Sequence, residues 1–345
     1  MGPLVLGERE VRDLLPMHEC IDLMTTVMRA LAENTAVQPL RSKFAVEGES
    51  GFLALMPALL ATPRVLGAKI LSIFPNKEGD PRPSHQGAVL LFDRDDGRPL
   101  AFVDATSITE IRTAAVSAVA TRALARDDSS TLAILGAGSQ AHAHAIAMHL
   151  VRPVSRVRIW NRSVERARHL VARLEGELGR TVDIRTCETP REAVYQADLV
   201  CTTTSSREPI VQASWIEEGT HINAVGAATP GLRELDSALV ARCRLYVDRR
   251  ESTTNEADEY RIPLAEGAIR SDHIVGELGE LLIGRTPGRR DRREITLFKS
   301  VGLAVEDLAS AYSVFAQAQA GGRGFRFRDA APSRGDGAVG PGPAA

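Results

Sequence analysis

Hydrophobic positions along the chain fall into two textures. Between residues 41 and 103, short apolar stretches alternate with turn residues: Arg41 to Val46, Phe52 to Met56, Leu66 to Ile73 and Gly87 to Asp93. The stretch Val89-Leu-Leu-Phe-Asp-Arg-Asp-Asp-Gly-Arg-Pro-Leu-Ala-Phe-Val103 reads as two strands around an Asp-Gly turn, which predicts a mainly antiparallel sheet in an α+β unit. From Ser130 the pattern changes. Apolar runs of strand length at Ser130 to Leu135, Arg156 to Trp160, Ala197 to Thr203, His221 to Val225 and Arg244 to Val247 alternate with helical segments, one of them around Glu165 to Leu178. Strands alternating with helices predict parallel βαβ units. Two alanine-rich segments are helical by composition. Ile108 to Ala125 is placed to carry the chain from one domain to the other, and Val301 to Ala320 to pack back on the first.

A length of 345 residues, 44% of them hydrophobic, suits two domains better than a single core. The expected division is 1–118 joined by a C-terminal helix at 303–328, then 119–302, then a tail at 329–345. That tail is Pro, Gly, Ala and Ser with almost no apolar bulk, so it cannot offset its ordering entropy and is expected to be disordered. A net charge of -2 gives no reason to expect nucleic acid or an anionic membrane surface as a partner. Cys20, Cys187, Cys201 and Cys243 lack CxxC spacing, which argues against zinc or a disulfide framework and suits a reducing compartment. The first residues are acidic where a secretory signal would be basic and apolar, and no apolar stretch has the length of a membrane span. A soluble cytoplasmic protein is expected.

Gly136-Ala-Gly138-Ser-Gln-Ala141 follows a strand and opens a helix. This is the order in which a first glycine permits a tight turn, a second lets backbone approach a pyrophosphate, and a small third residue lets helix and strand pack closely. The following helix offers free N–H groups and a positive dipole end. A second strand then ends at Trp160-Asn161-Arg162-Ser163, where NAD enzymes place a carboxylate on the ribose hydroxyls. Here a guanidinium and a hydroxyl stand instead, which favours the 2′-phosphate of NADP(H), with NAD remaining possible. His142, His144 and His149 lie on the helix without the spacing that puts metal ligands on one face, so no metal site is assigned.

Arg41, Lys69 and Arg112 sit on or beside apolar elements rather than in charged runs. If they converge they make a carboxylate clamp; taken singly, each is an ordinary snorkelling or capping base. Together with Met56-Pro57-Ala58, Gly67-Ala68-Lys69, Ser84-His85-Gln86-Gly87, Arg112-Thr113-Ala114-Ala115, GAGSQA, NAVGA, and Thr296-Leu-Phe-Lys-Ser-Val-Gly302 with Glu306-Asp307, the chain resembles the ornithine cyclodeaminase/mu-crystallin family. The resemblance runs from about the first helix to Ala320. It implies a substrate-binding and homodimer-forming antiparallel domain joined to a Rossmann domain, with chemistry in the cleft between them. It implies that Arg41, Lys69 and Arg112 hold the substrate carboxylate, with Lys69 beside the reacting carbon and Glu256 a further candidate near the substrate amine. Ser84, His85, Thr202, Val225 and Ser300 would face the nicotinamide. Gly136, Gly138, Ser139, Gln140, Asn161, Arg162 and Ser163 would bind the phosphates and adenosine ribose.

One position departs from the pattern. Ornithine cyclodeaminases are similar in carrying an aspartate after NAVGA, and this chain reads Gly226-Ala227-Ala228-Thr229-Pro230-Gly231. Ala228 has no proton to exchange, and the resemblance is therefore closer to the ketimine reductase-like members. The expected function is NAD(P)H-dependent reduction of a small cyclic imine or imino acid at the Cα–N bond, with Lys69 as proton donor or orienter of the donating water. Two other readings stay open on sequence: a cyclodeaminase that recycles NAD and releases ammonia from ornithine or lysine, and a small-ligand binding protein of mu-crystallin type.

Overall fold

The structure, a computed structural model, describes residues 2–45, 51–74, 85–179 and 181–327, so the tail expected to be disordered lies outside the described residues. From the N-terminus, β1 (Leu4–Leu6) leads into α1 (Glu8–Leu14) and α2 (Met17–Ala32), followed by β2 (Ala36–Val37), β3 (Ser42–Ala45), β4 (Phe52–Leu60), β5 (Val65–Ile73), β6 (His85–Asp93) and β7 (Pro99–Asp104). Helix α3 (Ala105–Leu124) follows β7 directly. Next come β8 (Thr131–Leu135), α4 (Ser139–Val151), β9 (Arg156–Trp160), α5 (Val164–Leu178), β10 (Asp183–Thr186), α6 (Pro190–Val194), β11 (Leu199–Thr202) and β12 (His221–Ala224). The last part holds α7 (Ser237–Arg242), β13 (Arg244–Val247), α8 (Arg250–Glu256), α9 (Asp258–Ala265), β14 (Ile274–Glu277), α10 (Leu278–Leu282), β15 (Thr296–Lys299), α11 (Ala304–Ala320) and β16 (Phe325–Arg326).

The early strands form the antiparallel sheet that their alternation predicts, in the order β16-β1-β7-β6-β5-β4-β2, with β3 also on β4; only β1 and β7 run parallel. Strand β4 continues to Leu60 rather than stopping at Met56, because Leu59 and Leu60 pair with β5 on one side and β2 on the other. On β4, Ala54, Met56, Ala58 and Leu60 face inward, while Leu53 and Leu55 face out.

The second sheet is wholly parallel, in the order β10-β9-β8-β11-β12-β15-β13-β14. Its central strands β8, β11, β12 and β15 are buried at every residue. Helices on both faces explain why such strands read as unbroken apolar runs. The order reverses between β8 and β11, the kind of switch point beside whose carboxyl edge ligands bind in open α/β sheets. Strand β15 enters late in the chain yet lies between β12 and β13, which sets Ser300 to Gly302 beside the loop after β12.

Helix α3 joins the two sheets. Sixteen of its twenty residues are buried, and their small size lets it pack on α2, α4 and α11 at once. Asp104 caps it, accepting from the Ser107 amide at 2.7 Å. Helix α11 then returns over β4 and β5, burying Glu306 and Asp307 in its first turn. Among the described residues, no helix is long and apolar enough to cross a membrane.

Candidate active site

The glycine turn after β8 is built for close approach. Gly136 has φ +124°, and a Cβ there would lie 2.5 Å from Thr203 Oγ1, so any side chain is excluded by both backbone and space. Gly138 is the N-cap of α4, and a Cβ on it would meet nothing within 4 Å, so the backbone here faces open space. The first amides of a thirteen-residue helix point the same way, an arrangement that suits a pyrophosphate. At the end of β9, Asn161 donates from Nδ2 to the Ser163 carbonyl at 2.9 Å. Ser163 caps α5, accepting from the Arg166 amide at 3.4 Å, and Arg162 is exposed. These residues fit a dinucleotide with its adenosine end at β9.

Arg41, Lys69 and Arg112 meet at one cavity of about 360 Å³. Arg41 projects just before β3; its Nη2 lies 2.6 Å from Glu256 Oε2 and donates to the Val301 carbonyl at 2.7 Å. Lys69, on the inner face of β5, sits 2.6 Å from Asp307 Oδ2 and donates to Thr109 Oγ1 at 3.3 Å. Arg112, from α3, donates from Nε to Asp307 at 2.8 Å and from Nη1 to Glu306 at 2.7 Å. Gly302, at φ +81°, makes room for that guanidinium, since a Cβ there would come within 2.8 Å of Nη1.

Three cations thus face three carboxylates. Burial lowers the Lys69 pKa to about 8, with Asp307 opposing the fall and Arg112 adding to it. Burial lifts Glu306 to about 7 against the pull of Arg112, and Asp248 and Asp307 push it further up. Lys69 is therefore an ammonium that can release a proton near neutral pH. Both arginines keep N–H groups uncommitted among the described residues, Nη2 on Arg112 and Nε and Nη1 on Arg41, and these can donate to an entering carboxylate.

The rest of the cavity wall is apolar on the sheet side, with Phe52, Ala54, Met56, Leu71 and Ile73, and backbone-rich on the other, with Val225, Ala228 and Ser300. Buried anions shape that second wall. Glu234 accepts from Thr202 Oγ1 at 2.8 Å, from the Thr204 amide at 2.6 Å and Oγ1 at 2.7 Å, and from the Gly226 amide at 2.9 Å. Lys299 Nζ donates to the Ala227 carbonyl at 2.7 Å and pairs with Glu259 at 3.2 Å. Asp248, after β13, accepts from the Val301 and Gly302 amides at 2.7 and 2.9 Å.

Of the residues singled out from sequence, Arg41, Lys69, Arg112, Ser139, Gln140, Val225 and Ser300 line the cavity. Thr202 does not: its hydroxyl turns back onto Glu234, and Thr203 lines the cavity instead. Glu256 lies against Arg41 and is not among the lining residues. Ser84 lies outside the described residues; so does the side chain of His85, although its backbone begins β6. Sequence reasoning gave Asp307, Glu306, Glu234 and Asp248 no role. The first two left a trace as an acidic pair opening an alanine-rich helix, whereas Glu234 and Asp248 stand in loops with no periodic signal.

The sequence profile of the ornithine cyclodeaminase/mu-crystallin family matches residues 1–322. The ketimine reductase mu-crystallin of Mus musculus is 38% identical over 320 residues, covering 91% of this chain and 97% of the relative. The Delta(1)-pyrroline-2-carboxylate reductase of Bacillus cereus is 33% identical over 325 residues, covering 94% and 99%. Among solved structures, the Thermococcus litoralis Delta(1)-pyrroline-2-carboxylate reductase in complex with NADH and L-proline superposes with a TM-score of 0.91 at 38% identity, covering 94% of this chain and all of the other.

Proposed function

The chain belongs to the ornithine cyclodeaminase/mu-crystallin family, and on that basis we propose that it is an NAD(P)H-dependent reductase of a small imino acid, acting at the Cα–N bond. The observation that carries this reading is the convergence of Arg41, Lys69 and Arg112 on the cavity that Ser139, Gln140, Val225 and Ser300 border from the dinucleotide side. A bound reduced nicotinamide supplies hydride to the imine carbon. The chain's own groups do the rest. The free guanidinium N–H groups of Arg41 and Arg112 take the α-carboxylate, which fixes the carbon–nitrogen bond between the two walls. The apolar face of Phe52, Met56 and Leu71 holds the hydrocarbon body and keeps water out. Lys69 protonates the developing amine nitrogen, and Asp307 keeps its ammonium aimed and charged until then.

Ala228 lines the cavity where a cyclodeaminase would need a carboxylate, which favours the reductase over the cyclodeaminase. Exposed Arg162 at the end of β9, with no carboxylate there, supports NADPH as the better donor. The same reading treats 1–118 with 303–328 as the substrate and dimerisation unit and 119–302 as the cofactor unit. The outer face of the antiparallel sheet supports a homodimer: Phe44, Leu53, Leu55 and Leu66 are 73, 44, 41 and 40% exposed on one surface.

The test is turnover. Purified protein with NADPH and Δ1-pyrroline-2-carboxylate or Δ1-piperideine-2-carboxylate is expected to consume the reduced nicotinamide, with a higher kcat/KM than with NADH. Ammonia release from ornithine, with no net change in the cofactor, would instead establish the cyclodeaminase.

A further inference from the structure

The cavity holds a fourth cation that the clamp does not use. Lys43, on β3, lines it together with Phe52 and Ala54, and its Nζ stands 5.6 Å from the centre of the Phe52 ring. Arg41, Lys69 and Arg112 each have a carboxylate partner, but Lys43 has none within ion-pair distance among the described residues. Burial at the rim draws its pKa below the ordinary lysine value, with Glu256 opposing and Arg41 adding to the fall.

Sheet register fixes where this ammonium lies. Lys43 pairs with Ala54, Ala54 with Leu71, and Met56 with Lys69, so Lys43, Ala54, Met56, Lys69 and Leu71 share the inner face. Lys43 is thus two strands across from Lys69 and one two-residue step along, roughly 12 Å between Cα atoms at ordinary strand spacings. By register, the inner-face residues between them are Ala54, Met56 and Leu71, an apolar patch. A ligand with an anion at each end and hydrocarbon in the middle matches that layout, because each salt bridge adds about 3 Å to its span.

The choice of residue type points the same way. The chain has 42 lysines and arginines, only four of them lysine: Lys43, Lys69, Lys77 and Lys299. Lys69 and Lys43 line the cavity and Lys299 holds the Ala227 carbonyl beside it, while Lys77 lies outside the described residues. A sequence that otherwise meets its need for positive charge with arginine thus places lysine at this pocket, where it supplies a compact point charge beside the arginine forks.

We propose that Lys43 receives a second carboxylate on the substrate, so that this site takes a dicarboxylic imino acid with its α-carboxylate at Arg41, Lys69 and Arg112 and its distal carboxylate at Lys43. This rests on the imino acid reductase reading and narrows it to a substrate class. It makes Lys43 a specificity-determining residue across the apolar patch from Lys69.

The experiment compares two imines with the same ring, Δ1-pyrroline-2-carboxylate and Δ1-pyrroline-2,5-dicarboxylate, in the wild type, K43M and K43R. Their saturated counterparts, proline and pyrrolidine-2,5-dicarboxylate, are titrated calorimetrically into the same proteins with NADP+ present. The expected result is that the wild type prefers the dicarboxylate by about tenfold or more in kcat/KM, that K43M removes about tenfold of that ratio, and that K43R retains most of it. Equal kcat/KM for the two imines in the wild type, or a K43M variant that loses both in the same proportion, overturns the proposal. If the wild type reduces neither imine, the reductase reading has failed. Lys43 is then judged by titration: about tenfold weaker dicarboxylate binding in K43M supports it, and an unchanged Kd overturns it.

Discussion

Lys69 owes its lowered pKa to where its residue type has been put. An ammonium on the inner face of a sheet loses its hydration, and only Asp307, 2.6 Å away, keeps it charged at neutral pH. In the proposed role of proton donor, it must be protonated when the imine binds. Below its pKa of about 8 the acid is available, and above that value it is not, so kcat/KM is expected to fall as pH rises through about 8. K69M is expected to lower kcat by about 10² to 10⁴, the usual worth of a positioned acid, and to abolish that descending limb. Near-normal kcat with only a raised KM would leave Lys69 as a clamp residue without a proton role. The three cations could be picked out in the sequence because they interrupt apolar elements. The carboxylates on Lys69 and Arg112 could not, since Asp307 lies more than two hundred residues from Lys69, and Glu256, the partner of Arg41, entered only through the family resemblance. Thr202 was misplaced for a related reason: at the end of β11 neighbouring side chains point to opposite sides, so an error of one position exchanges a cavity residue for one that faces Glu234.

At the scale of elements, helix α3 supports both halves of the site, with Arg112 in its middle and its last carbonyls at the turn that leads to β8. Those carbonyls are held by Arg152, from the end of α4, which donates to the oxygens of Thr121, Arg122, Ala125 and Arg126 at 2.9 to 3.0 Å. A buried guanidinium bonded to these carbonyls is an uncommon helix stop, and its removal leaves the Arg122 and Ala125 oxygens without a protein donor among the described residues, while Thr121 and Arg126 keep the Ala125 and Ser129 amides. R152A is expected to cost about 3 kcal/mol in urea unfolding, and R152K to recover less than half of it because an ammonium cannot span the fork. A loss under 1 kcal/mol would show that water replaces the guanidinium readily. Most elements could be located from their apolar periods: β9 and β13 occupy the expected residues, and α3 and α11 begin within three residues of their expected starts. The position of β15 could not. Parallel strands are ordered by long-range packing, and nothing in Thr296-Leu-Phe-Lys299 says that it lies between β12 and β13.

The whole molecule presents two surfaces of opposite use. The inner face of the antiparallel sheet closes over the cavity, whereas its outer face exposes Phe44, Leu53, Leu55 and Leu66. A second copy packing sheet to sheet would cover that apolar surface. Sedimentation of the wild type is expected to give a dimer, and L55E, which sets a charge on that face, to weaken it by about 100-fold or more. A monomeric wild type, or an L55E dimer of unchanged Kd, would place the contact elsewhere. The late entry of β15 governs how the protein comes into being. As the nascent chain leaves the ribosome, Lys69 and Arg112 emerge long before the segment that supplies β15, Glu306 and Asp307. Until that segment arrives the basic residues have no counter-charge and the central parallel strands β12 and β13 stay apart. Partly made chains therefore have no assembled centre with which to spend cellular reductant, and synthesis itself keeps the chemistry off until the segment carrying Glu306 and Asp307 has been made.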